Sequence, residues 1–62
     1  MIVENISALC KEQGTTFAEV ERVLKLGNGT IRRWNEVNPR IDRIKLVADY
    51  FGVTIDDLLN AK

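Results

Sequence analysis

The sequence contains no histidine and a single cysteine, Cys10. Without imidazole, the usual Cys/His zinc spacings cannot be built and no histidine base can activate a serine or a thiol. One thiol also makes a disulfide framework within the chain impossible. Aromatics are sparse, with two Phe, one Tyr and one Trp, whereas single-strand nucleic-acid binders usually present several exposed rings. No stretch approaches the ~18 apolar residues of a membrane span. The first ten residues, MIVENISALC, lack a basic start and set Glu4 and Asn5 where the apolar part of a signal peptide would run. A soluble cytoplasmic protein with no membrane partner is therefore expected, its lone thiol suited to a reducing compartment.

Sixty-two residues make one domain, 1–62, and a chain this short buries only roughly 60% of the surface its unfolded form exposes. An enzyme pocket of ~300 Å³ with several oriented polar groups is difficult to carve from so small a core. A binding module, not an enzyme, is expected, with no cofactor, no metal and no small-molecule ligand. The composition, 45% hydrophobic and 29% charged with one proline, belongs to a chain that folds.

Net charge is zero, but the charges are segregated. Residues 1–21 sum to −3 and residues 46–62 to −2, while residues 22–45 carry Arg22, Lys25, Arg32, Arg33, Arg40, Arg43 and Lys45 against Glu36 and Asp42, a local excess of +5. A basic centre between acidic flanks suits a phosphate backbone whatever the net charge.

Apolar spacing predicts helices throughout. Ile2, Ile6, Leu9 and Cys10 fall at i, i+4, i+7 and i+8, with Gly14 following as a stop. Thr16-Phe17-Ala18-Glu19 has the pattern of a capping box, so a second helix starts at Phe17 and carries Val20 and Leu24 to an end near Leu24 or Lys25. Ile31 and Trp34 mark a third helix. Ile41, Ile44, Val47, Ala48 and Phe51 mark a fourth, with Asn38-Pro39 between them and Gly52 at the close. Thr54-Ile55-Asp56-Asp57 offers a cap and first-turn acids for a short fifth helix ending in Leu58 and Leu59. That position makes Asp56 and Asp57 capping groups, and the helical spacing makes Cys10 and Trp34 core residues.

Gly27-Asn28-Gly29 joins the second and third helices. Neither flank alternates as hairpin strands must, and about three residues between helices sharing one small core leave little slack. The remaining reading is the tight turn of a helix-turn-helix, with Gly27 near the N-cap and the third helix beginning at Asn28. Ile31 and Trp34 then turn inward, while Asn28, Gly29, Arg32 and Arg33 project outward near the leading end. Such an end favours anions. Arginine reads guanine, asparagine reads adenine, and glycine lets backbone approach the duplex. Arg32 also stands i, i+4 from Glu36, the spacing of an ordinary surface ion pair.

The run from Thr16 to Trp34, with Val20, Leu24, Leu26, Thr30, Ile31 and Trp34 in register, resembles the helix-turn-helix of lambda repressor and Cro-like (Xre-type) DNA-binding domains. ERVLKLGNGTI (21–31) and ADYFGVTIDDLL (48–59) are similar to the corresponding segments of phage repressors and regulators from Gram-positive bacteria. The resemblance implies an all-α, compact five-helix fold with the helix-turn-helix at about 16–35. It also implies base reading by Asn28, Gly29, Arg32 and Arg33, and phosphate contacts by Thr16, Lys25, Gly27, Thr30, Asn38, Arg40 and Arg43. The implied partner is double-stranded DNA, as a palindromic operator met by two copies of the chain, dimerised in solution or on DNA alone. The implied role is transcriptional regulation, as a phage or mobile-element repressor.

The sequence departs from that pattern at three places. Phe17 replaces a common glutamine, Lys25 replaces the glycine of the turn, and Arg40 replaces a Ser or Thr cap. The contrasting expectation is a helix-turn-helix kept as a protein-interaction module, of antitoxin or anti-repressor type. The residues also fit the N-terminal part of a longer repressor.

Overall fold

The computed structural model describes residues 2–60, and every regular element among them is a helix: α1 (Ile2–Gln13), α2 (Phe17–Leu24), α3 (Thr30–Arg33), α4 (Ile41–Phe51) and α5 (Ile55–Leu59). The periodicities above account for all five, because each helix turns its apolar stripe to one common centre. Ile6 of α1, Val20 of α2, Ile31 of α3, Val47 of α4 and Leu58 of α5 are each 0% exposed. Burying one such side chain contributes about 1.5–3 kcal/mol. Around them pack Ile2, Val3, Cys10, Leu26, Trp34, Ile44, Ala48 and Phe51. Trp34 and Cys10 are therefore core residues, as their spacing predicts, and burial pushes the Cys10 thiol pKa up.

Helix α1 closes the fold against α5, and its polar side chains serve carbonyl groups at the ends of two other helices. Asn5 donates to Leu58 O at 2.6 Å, and Gln13 donates to Phe51 O at 3.2 Å. α4 bridges the halves by packing on both α2 and α5. No described helix is long and apolar enough to cross a membrane, and no group of three metal-ligating side chains occurs among the described residues.

Three helices end alike. After α1, α2 and α4 the chain turns left-handed at one residue, and the next N–H reaches back to a carbonyl five residues earlier: Thr15 to Cys10, Leu26 to Glu21, Val53 to Ala48. Two of these turns use glycine. The third uses Lys25, at φ 57° and ψ 43°, at the position where the family pattern has glycine.

Candidate nucleic-acid interface

The second helix starts where its sequence says it should. Thr16 Oγ1 accepts from Glu19 N at 3.2 Å, capping α2. The returning half of the capping box is replaced, because the Glu19 carboxylate takes Arg22 one turn along. That bond holds the Glu19 carboxyl below its ordinary pKa and raises the Arg22 guanidinium.

The third helix begins later than the sequence predicts. α3 runs from Thr30, its N-cap is Gly29 at φ 79°, and no side chain of its own caps it. The expectation of a helix beginning at Asn28 with Gly27 as cap is thereby corrected. Gly27 (φ 91°) and Gly29 both adopt backbone open to few residues other than glycine, and helical geometry cannot start until the second has been passed. The helix also ends early, at Arg33, so Arg32 and Glu36 are not neighbours on one helical face. No ion pair joins them among the described residues.

The cap of α3 comes from α2. The Glu21 side chain, 5% exposed, accepts from Gly29 N at 3.1 Å through Oε1 and from Ile31 N at 2.9 Å through Oε2. Thr30 N turns back to Gly27 O at 3.4 Å. The Gly29, Thr30 and Ile31 amides at the leading end of α3, expected to face an anion, are thus already engaged by the protein. A charge this buried is costly unless hydrogen-bonded, and two amides supply those bonds. In the sequence Glu21 reads only as part of an acidic flank. Its signal was position: it lies four residues after Phe17 and three before Leu24, inside the apolar stripe of α2.

Six of the expected site residues come together in two adjoining grooves. One groove is lined by Thr16, Lys25, Gly27 and Asn28 along with Glu19 and Arg22. The other is lined by Asn28, Gly29 and Arg32 with Phe17 and Ala18, so Phe17 forms part of the wall that Arg32 faces. Ala18, Glu21 and Asn28 belong to both. Asn28, Arg32 and Lys25 are exposed and, among the described residues, form no ion pair. A Cβ at Gly29 would meet no protein atom within 4 Å. The open surface there is one that a side chain would cover.

The other expected residues stand apart from these grooves. Arg33, Asn38, Arg40 and Arg43 are exposed and line neither. Thr30 is half-buried, and its hydroxyl donates to Leu26 O, which leaves only its lone pairs for another donor. Arg40 opens α4 without capping it. Its Nε lies 3.5 Å from Asp42 Oδ1, with both side chains largely exposed, a pairing worth little in water.

A helix–turn–helix whose second helix is held across the first, with an asparagine, a glycine and an arginine open on its leading side, has the form that enters a major groove. No curated protein and no solved structure matches this sequence. A family model does, over residues 5–62, nearly its entire length. The chain belongs to the family of Cro/C1-type HTH DNA-binding domains.

Proposed function

We propose that this chain is a sequence-specific reader of double-stranded DNA acting as a transcriptional regulator, a repressor of phage or mobile-element origin, and that residues 1–62 work as one binding domain without catalysis. The observation that carries this reading is the groove where Asn28, Gly29 and Arg32 are exposed together at the leading end of α3, in a chain of this family. Asn28, Gly29, Arg32 and Arg33 read base edges. Thr16, Lys25, Gly27, Asn38, Arg40 and Arg43 hold the phosphates and fix register without reading sequence, while Thr30, expected among them, has both its donors bonded within the chain. One module of this kind covers roughly 600–1,000 Å² of DNA contact, so two copies on a palindromic operator one helical turn apart give the necessary affinity. Such a partner places the work in the bacterial cytoplasm.

The direct test is fluorescence anisotropy of a labelled random-sequence duplex, titrated at low and then moderate salt with the wild type and with Arg32→Ala/Arg33→Ala. Binding should weaken steeply with salt and with the double substitution. Absence of binding at low salt by a folded protein would overturn the DNA reading and direct the search to a protein partner. Within the reading, Arg33→Ala should cost about 1–3 kcal/mol at its cognate base and relax preference there. Arg40→Ala should weaken all duplexes alike and flatten the salt slope. Equal effects of both changes on specific and random DNA would refute that division.

A further inference from the structure

We propose that Glu21, which faces no base and holds no phosphate, is a positioning residue that sets how well this domain distinguishes one DNA sequence from another. The inference rests on the DNA-binding reading above and extends it to a buried group which that reading leaves unused.

The geometry is that of a two-point clamp. A helix of four residues, Thr30–Arg33, has too few internal bonds to fix its own course. Its pose must come from outside. Ile31, 0% exposed, and Trp34 at the C-cap, 8% exposed, anchor its middle and trailing end on the core, and neither fixes the leading end. The two oxygens of a planar carboxylate, bonded to Gly29 N and Ile31 N at 3.1 and 2.9 Å, fix that end. Asn28 and Arg32 flank the clamped amides in the chain, so their placement against α2 follows from the same two bonds. Base reading needs such placement, because bidentate contacts tolerate little misalignment.

The charge of Glu21 acts in the same direction. No cation lies within ion-pair distance of it among the described residues, and it sits beneath both grooves. It opposes the approach of any phosphate backbone irrespective of base sequence. One carboxylate therefore lowers affinity for random duplex and raises it for the duplex whose bases suit the clamped α3.

Glu21→Gln keeps the shape, removes the charge and turns an NH₂ toward one of the two amide donors. Glu21→Asp keeps the charge but is one methylene too short to reach both. The measurement is anisotropy of two labelled duplexes, one selected by the wild type from a random pool and one of random sequence and equal length. In Glu21→Gln the ratio of the two affinities should fall by about tenfold, the loss expected of one misplaced base contact, with random duplex bound as tightly as by wild type or tighter. In Glu21→Asp the ratio should fall with random binding unchanged. Equal loss on both duplexes would mean that Glu21 supports folding alone, and would overturn the proposal.

Amide hydrogen exchange in the wild type, without DNA, tests the clamp separately. Gly29 and Ile31 N–H should exchange far more slowly than the N–H of Asn28, an exposed residue, and fast exchange at both would overturn the proposal even if neither variant folds. A wild type with those amides protected but no affinity for any duplex would instead remove the DNA reading, and the inference with it.

Discussion

Helices α3 and α5 are the two shortest among the described residues, at four and five residues, and neither is long enough to persist alone in water. Each buries one side chain completely, Ile31 and Leu58. Their N-termini are made in opposite ways. α5 caps itself: Thr54 Oγ1 accepts from Asp57 N at 3.1 Å, and Asp57 Oδ2 accepts from Thr54 N at 3.2 Å, a closed box within four residues. α3 has a glycine at its cap position and borrows a carboxylate from eight to ten residues upstream. A self-capped helix can form wherever its core contact is available. A helix capped by its neighbour forms in one orientation relative to that neighbour, and α3 is the helix whose orientation carries the proposed function.

That contrast can be broken at its core anchors first. Leu58→Ala should cost about 2–5 kcal/mol, enough in a domain this small to lower the urea midpoint sharply. Ile31→Ala should fall in the same range, since both positions are fully buried. A loss below about 1 kcal/mol at either would show that helix to be an accessory to the fold. The caps come next. Glu21→Ala leaves two N–H groups unpaired, one of them buried, and should cost about 2 kcal/mol. Thr54→Ala removes an exposed cap and should cost about 1 kcal/mol. If thermal melts gave equal losses, the borrowed cap would have no more structural weight than the local one. The smallest effect is expected at the turn between α2 and α3. Lys25→Gly relieves a left-handed backbone and should stabilise by up to about 1 kcal/mol. It should also weaken binding to random duplex by removing an exposed cation. A lower melting temperature would show that Lys25 contributes a contact exceeding its strain.

The same contrast explains what the sequence discloses. The five helices follow from 3.6-residue apolar spacing, and three boundaries from chemistry that acts within four residues: Thr16 before α2, Gly52 after α4, Thr54 before α5. Interactions between distant residues are not legible in this way. The start of α3 at Thr30 depends on Gly29 holding a positive φ and on Glu21 receiving its amide, and the second is not encoded in a window of neighbouring residues. Asn5 and Gln13 read as solvated polar positions on α1, yet they reach carbonyl groups 53 and 38 residues away. For the site, residue types and their order at 28–33 suffice to select the outer face of α3. The separation of Arg33, Arg40 and Arg43 from the grooves, and the acid beneath them, require the fold.

Each of the five helices places one residue with no exposure at the common centre, so withdrawal of any one would open a void that the other four cannot fill. A state with α3 swung away from the body should therefore be scarcely populated, and DNA, under the proposed reading, would meet the domain in a conformation it already holds. Association then carries no penalty for a rare competent form. Its rate should follow encounter and orientation, increase with electrostatic attraction, and show no lag for internal rearrangement.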